Sequence, residues 1–130
     1  MNDVLSLIEK SGELLSFDDV LLVPSYSNIK SRLSVCTKSS LCEMPLDMPI
    51  VSSPMDTVTN SSMAIEIGRL GGAGIVHRFS SNKDQLWSML AIQRENRDNN
   101  LKIPIIPAIG VGKDEMSRLN YLMSGLDGVD

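Results

Sequence analysis

Three short stretches hold the residues best equipped for chemistry. The first is "SSPMDTV", Ser52–Val58. Ser52 and Ser53 offer hydroxyls that donate or accept. Pro54 fixes the turn, and Met55 offers a soft apolar wall. Asp56 can accept nearby backbone N–H groups or anchor a cation. The same residues also suit a plain strand-to-helix loop in which Asp56 or Thr57 caps the next helix. The second stretch is His77 and Arg78, which close an apolar run and could face an anionic ligand. A hydrogen-bonded structural histidine fits that place as well. The third is "GVGKDE", Gly110–Glu115. It is no P-loop, since Pro107 stands where the first glycine belongs and Asp114 follows the lysine. Nor is it a dinucleotide fingerprint, since Glu115 replaces the third glycine. "GGAG", Gly71–Gly74, precedes a strand pattern and reads as a helix stop. No stretch supplies a nucleophile, a base and an orienting group together.

Composition sets the bounds. Of 130 residues, 42% are hydrophobic and 22% charged, which are the proportions of a soluble globular domain. A net charge of −4 argues against a nucleic-acid partner, which would call for a basic face. No apolar run reaches the roughly 18 residues needed to cross a bilayer, so no membrane partner is expected. The N-terminus "MNDVLSLIEKSGELLSF" has early acids and no signal-peptide core, which sets a cytoplasmic expectation. Cys36, Cys42 and the single His77 make neither a disulfide framework nor a metal pattern.

Periodicity supplies the elements that would position these residues. Val4, Leu5, Ile8, Leu14 and Leu15 suggest a helix over 1–16. "DDVLLVP", Asp18–Pro24, reads as a short strand, and "VCTKSSLC" as a strand and turn. "MPIVSS" is a short apolar strand. A helix over Ser61–Leu70 would bury Met63, Ile67 and Leu70 and stop at Gly71 and Gly72. Ala73–His77 is a second strand. Ser81 with Asp84 marks a helix start, with Leu86, Leu90 and Gln93 as one stripe and Trp87 and Ala91 widening it. That helix ends in the polar "RENRDNN". Ile103–Val111 is a third strand. Asp114 opens a third helix, with Met116, Leu119, Leu122, Met123 and Leu126 apolar and Gly125 ending it. "LDGVD" begins a fourth strand. This alternation demands parallel strands with crossover helices, hence an α/β fold. At this level a doubly wound sheet and a (β/α)₈ barrel both remain open. Either binds ligands at the carboxyl ends of its strands.

"LSFDDVLLVPSYS", "PIVSSPMDTVT", "MAIEIGRLGGAGIVHRFSS" and "PAIGVGKDEMSRLNYLMSGLDGVD" resemble successive blocks of the IMP dehydrogenase/GMP reductase family. The resemblance runs from about residue 14 to residue 130, leaving 1–13 as an N-terminal extension. It implies a (β/α)₈ TIM barrel, here its first three βα units and the start of strand 4, so the chain is expected to be an amino-terminal fragment. It implies a purine mononucleotide, IMP or GMP, as ligand, and a homotetramer as the complete enzyme. Ser53 then lies near the phosphate–ribose end of the nucleotide and Met55 against the base. Asp56 looks like a support for that loop, and His77 and Arg78 take supporting roles. Gly110 matches a glycine beside the nicotinamide cofactor path, although Val111 and Gly112 stand where a hydroxyl and a larger polar residue are common. "SSPMDTVT" is dehydrogenase-like, and "KSR" at Lys30–Arg32 occurs in reductase-like sequences. The chain also lacks the CBS modules that most dehydrogenases insert.

The implied activity is oxidation of IMP to XMP with NAD, through addition of a cysteine thiolate to the purine C2. The alternative in the same family is NADPH-dependent reduction of GMP to IMP. A reading of another class is a noncatalytic truncated product that docks on, or interferes with, a full-length barrel. The family's cysteine loop follows a later strand, and Cys36 and Cys42 do not match it. No catalytic residue is therefore assigned in this chain, and it is expected to be inactive alone. The site for a monovalent cation such as K+ belongs to the same missing loop.

Overall fold

The structure, a computed structural model, describes residues 16–127. The chain divides into two compact units, Met1–Val35 and Cys36–Asp130. The helix expected over 1–16 lies outside the described residues except for Ser16.

In the first unit, Phe17–Asp19 and Arg32–Ser34 form single 3-10 turns. Asp19 closes its turn by accepting from Ser16 N at 2.8 Å and Ser16 Oγ at 2.7 Å. The strand expected at Asp18–Pro24 is not formed. Asp18 and Asp19 belong to the turn, and Val20–Pro24 pair with no strand among the described residues. A strand holds its backbone groups only through a ladder partner, and β propensity in "VLLV" cannot supply one.

The second unit opens with a hairpin, β1 (Ser39–Leu41) and β2 (Met44–Leu46), in the register Ser39 opposite Leu46. Its turn is Cys42–Glu43, and Cys42 takes the positive φ of 53° that a two-residue hairpin turn requires. Three parallel strands follow in sequence order: β3 (Val51–Ser52), β4 (Ala73–Val76) and β5 (Ile106–Pro107). Val51 lies opposite Ala73, and Ile75 opposite Ile106. Helix α1 (Ser61–Arg69) joins β3 to β4, α2 (Asn82–Asn99) joins β4 to β5, and α3 (Lys113–Asp127) follows β5. Both α1 and α2 pack on β4 and on each other, so they share one face of the sheet, and α3 packs on α2. The α/β expectation is met. Its third strand is shorter than Ile103–Val111, because Pro104 and Pro107 have no N–H to give a ladder.

The core gathers Ala64, Val76, Ile92 and Ile103, with Met89 and Leu122 also fully buried. The stripes expected on the first two helices are displaced, and on α3 Leu122 is buried as expected while Met116 and Met123 are exposed. On α1 the buried residue is Ala64, while Met63 and Leu70 are exposed. Small residues let this helix sit close. A Cβ added to Gly74 of β4 would lie 2.6 Å from Ala64 Cβ, and one on Gly68 would strike Ile103. On α2 the buried residues are Gln85, Met89 and Ile92, one position ahead of the apolar stripe, and Trp87 is exposed.

Local chemistry sets the helix ends. Asn60 caps α1 by accepting from Met63 N at 2.9 Å. At its other end Gly71 takes φ 87°, with Gly71 N donating to Gly68 O and Gly72 N to Ile67 O. That is the Schellman stop, so the glycine pair acts as expected. Ser81 caps α2 through Asp84 N at 3.1 Å, also as expected. "RENRDNN" is helical as far as Asn99. Within it Asn96 clamps Ile103, accepting from its N at 2.7 Å and donating to its O at 2.9 Å. Gly125 does not end α3. It lies inside the helix, where a Cβ would meet Leu86. Leu126 and Asp127 are the last turn of α3 rather than strand, and the remainder of the expected fourth strand lies outside the described residues.

Candidate functional site at the carboxyl edge of the sheet

Because β3, β4 and β5 are parallel and adjacent, the residues that follow them share one edge. Ser53, Met55 and Asp56 follow β3, His77 and Arg78 follow β4, and Gly110 follows β5. The edge is therefore assembled from three separate stretches of chain.

The β3–α1 loop is organised from beneath by Thr59, which is fully buried. Its hydroxyl donates to the Ser53 carbonyl and lies 2.8 Å from Ser52 Oγ, which can donate in return. The backbone closes on itself above. Met55 N donates to Ser53 O at 2.8 Å, and Val58 N and Thr59 N both donate to Met55 O. These bonds use the carbonyls of Ser53 and Met55 and leave their side chains outward. Ser53 is exposed, and Met55 keeps 49% of its surface accessible. Asp56 is exposed and makes no hydrogen bond to another described residue. Neither Asp56 nor Thr57 caps α1, because Asn60 already does.

The β4 and β5 ends are joined by a polar network that sequence reasoning missed. Gln85, fully buried on the first turn of α2, donates to Ala108 O at 2.9 Å and approaches Val76 O at 3.5 Å. Its Oε1 accepts from Arg118 Nη1 at 2.9 Å. Arg118 also donates to the carbonyls of Arg78 and Ser80, each at 3.3 Å. Glu115 completes the chain. Its Oε2 accepts from Gly110 N at 2.9 Å and lies 3.5 Å from Arg118 Nε, while its Oε1 lies 3.3 Å from Arg78 Nη1. Arg78 also lies over the Phe79 ring, 5.7 Å from its centroid. His77 is half-buried, and its Nδ1 has no partner among the described residues. No hydrogen bond or ion pair joins this network to Ser53, Met55 or Asp56 among the described residues.

The Gly110 N–H bond, with the charges of Arg118 and Arg78, holds the Glu115 carboxyl below the usual glutamate range against a smaller opposing effect of desolvation. A carboxyl with a depressed folded-state pKa stabilises the fold above its unfolded pKa, about 4.3 for glutamate. That contribution disappears as pH falls through the folded value. The wild-type chain should therefore exceed Glu115→Gln in stability at pH 6, and the gap should narrow steadily toward pH 3. Urea midpoints of the two chains across that range test this, and a gap independent of pH would refute it.

Two concavities lie away from this edge. One of about 360 Å³ opens at the opposite, amino edge beside Asp47, Arg69 and Lys102. Another, beside Trp87 and Leu90, is on the outer side of α2. Among the described residues no cluster of His, Cys, Asp or Glu could hold a metal ion, and no helix is long and apolar enough to cross a membrane.

The family model described as "IMP dehydrogenase / GMP reductase domain" matches residues 14–130. The chain belongs to the IMP dehydrogenase/GMP reductase family. Among relatives in that family, inosine-5'-monophosphate dehydrogenase of Nitrosopumilus maritimus is 47% identical over 83 residues, which are 63% of this chain and 17% of that protein. The Methanocaldococcus jannaschii inosine-5'-monophosphate dehydrogenase is 38% identical over 117 residues, 88% of this chain and 23% of that protein. The crystal structure of inosine 5'-monophosphate dehydrogenase from Legionella pneumophila superimposes with a TM-score of 0.67 at 32% identity, covering 87% of this chain and 33% of that one. This family chain thus spans about a fifth of the length of the curated relatives it matches.

Proposed function

We propose that residues 14–130 form the first three βα units of a (β/α)₈ barrel, with 1–13 as an extension. On this reading they supply part of the nucleotide-pocket wall of an IMP dehydrogenase-like oxidoreductase. The reaction is oxidation of IMP to XMP, NAD accepts the hydride, and the complete enzyme is a homotetramer. The observation that carries this reading is the Ser53–Thr59 loop. Its backbone is closed by internal hydrogen bonds and its two most useful side chains are turned outward, at the edge where α/β folds bind ligands. In this reading Ser53 meets the phosphate–ribose end of IMP and Met55 meets the base, with Asp56, His77 and Arg78 in supporting roles along the same edge.

In this reading the cofactor path runs past the loop that follows β5. The Gly110 N–H is committed to Glu115, Val111 is fully exposed, and the position a Cβ would take on Gly112 is open. Gly110 and its neighbours could border a nicotinamide ring, but the Gly110 N–H itself is taken by Glu115, and no step of the chemistry is assigned through this loop.

The test is to graft residues 14–130 onto the remaining barrel of a family member and titrate IMP by calorimetry. A hydrogen bond to a charged group is worth about 1.5–3 kcal/mol, so Ser53→Ala should weaken IMP roughly 10- to 150-fold. Met55→Ala should weaken IMP but spare the binding of ribose 5-phosphate, which has no base. An active graft in which both substitutions leave IMP affinity unchanged would make the loop a purely structural connection.

A further inference from the structure

Arg78 stands at the carboxyl edge in an arrangement that internal stability alone does not explain. A guanidinium has five N–H donors. Arg78 commits one nitrogen, Nη1, to Glu115 Oε1, and rests its carbon face over Phe79. Its remaining donors have no partner among the described residues, and its side chain is 45% exposed. It is thus held on two sides and open on the others. Glu115, which holds it, is itself fixed from two directions, by the Gly110 N–H across the β5–α3 loop and by Arg118 one turn along α3. Arg118 is tied in turn to buried Gln85, which donates to Ala108 O just past β5 and approaches Val76 O at the end of β4. A continuous polar chain therefore runs from the sheet interior to an exposed cation with donors to spare.

We propose that Glu115 is the positioning residue of this edge: it fixes the β5–α3 loop through Gly110 and aims Arg78 at a phosphate group of the bound ligand. The ligand half of this inference rests on the nucleotide reading above. The chemistry it names is a phosphate, which either a mononucleotide or the pyrophosphate of a dinucleotide could bring. Arg78 would meet the phosphate with the N–H groups Glu115 leaves uncommitted. Such charge-assisted contacts are worth more than neutral ones, and a cation already in place loses less freedom on binding. Glu115 would not touch the ligand.

The experiment uses the full 130-residue chain and three variants, Glu115→Gln, Glu115→Ala and Glu115→Asp. Hydrogen–deuterium exchange is followed in the 106–113 peptide, and IMP, inosine and NAD are titrated by calorimetry. The Gln side chain keeps an acceptor for Gly110 but loses the charge. It should leave exchange near wild type, weaken IMP about tenfold and leave inosine, which lacks phosphate, unchanged. Ala should weaken IMP equally and also raise exchange at Gly110 at least about tenfold, because it removes the acceptor. Asp keeps the charge and should restore much of the IMP affinity. A matching loss for NAD with none for IMP would assign the phosphate to the dinucleotide. Equal losses for IMP and inosine, or Gly110 exchange unchanged in the Ala variant, would overturn the positioning role. If the isolated chain, which supplies only part of the pocket wall, binds neither IMP nor NAD, the same variants are titrated in the grafted barrel, where a wild type that binds neither would sink the nucleotide reading and the ligand half with it, while exchange still decides whether Glu115 fixes the loop.

Discussion

The purified 130-residue chain, given IMP and NAD, should form no NADH above the enzyme-free rate. Oxidation at the purine C2 requires a nucleophile that converts the ring carbon to a tetrahedral centre from which a hydride can leave, and covalent catalysis divides that hard step in two. In the reading above the nucleophile is a thiolate, and this sequence holds only Cys36 and Cys42. Both are exposed and free. Cys42 is committed to the β1–β2 turn, and the chain from that hairpin reaches the sheet at its amino edge, where Met48 N donates to Gly71 O ahead of β4. Ser53 and Met55, the proposed pocket residues, lie beyond the opposite ends of the strands. Cys36 precedes the hairpin next to Thr37, whose hydroxyl donates to Asp47 O at 3.2 Å near the same amino edge, so neither thiol stands where a base presented to Met55 could be attacked. Enzymes of ordinary power accelerate their reactions at least about a millionfold, so even a small fraction of that rate would register as absorbance at the NADH band. The Cys36→Ser, Cys42→Ser double variant should behave identically. An IMP-dependent signal that survives it would overturn the barrel reading. A signal abolished by it would place the chemistry at the hairpin.

Element types were legible where a short-range rule suffices. Ser81 followed by Asp84, and Gly71–Gly72 after an apolar repeat, are capping signals whose physics is local, and both helix ends fall where those residues place them. Buried faces were less legible, because burial is decided by what packs above. The α2 stripe was displaced because Gln85 occupies a fully buried place, which periodicity assigns to an apolar residue. Only the approach of two strand ends and Arg118 shows why an amide belongs there: each of its polar atoms finds a partner. The "VLLV" segment failed for the complementary reason, since a β pattern has no strand without a neighbour. At the site, the outward residues Ser53 and Met55 could be chosen from their types and the resemblance. Their supports could not. Thr59 and Glu115 lie six and five positions from the groups they hold, Ser53 O and Gly110 N, and a hydroxyl or carboxylate at such spacing carries no pattern of its own. The one available signal was Glu115 in the first turn of a helix just beyond a glycine pair, where an acid is favoured and loop N–H groups are near.

Gly74→Val should abolish cooperative folding of the second unit, and Gly74→Ala should cost about 2–3 kcal/mol. Gly74 lies in the middle of β4, paired opposite Ser52 of β3, with the backbone of α1 directly above it. A Cβ there would fall 2.6 Å from Ala64 Cβ and closer still to Ala64 Cα. Neither atom can rotate away, as the end of a long side chain could. The strand is held by β3 on one side and β5 on the other, so α1 must lift. Ala64 is fully buried at the centre of the core with Val76, Ile92 and Ile103, and lifting it opens those contacts. The same displacement pulls on Asn60 and Thr59, which lead into α1 from the candidate site, so the Ser53–Met55 loop should loosen along with the core. Valine adds two more methyl groups to the same gap and has no rotamer that avoids the helix. Gly112→Ala is the control, because nothing lies within 4 Å of the Cβ it would gain, and it should stay within about 0.5 kcal/mol of wild type. Urea unfolding followed by far-UV circular dichroism measures all three. A Gly74→Ala midpoint indistinguishable from that of Gly112→Ala would show that α1 does not pack against β4 as closely as described, and the small-residue seam between them would lose its role in placing the site.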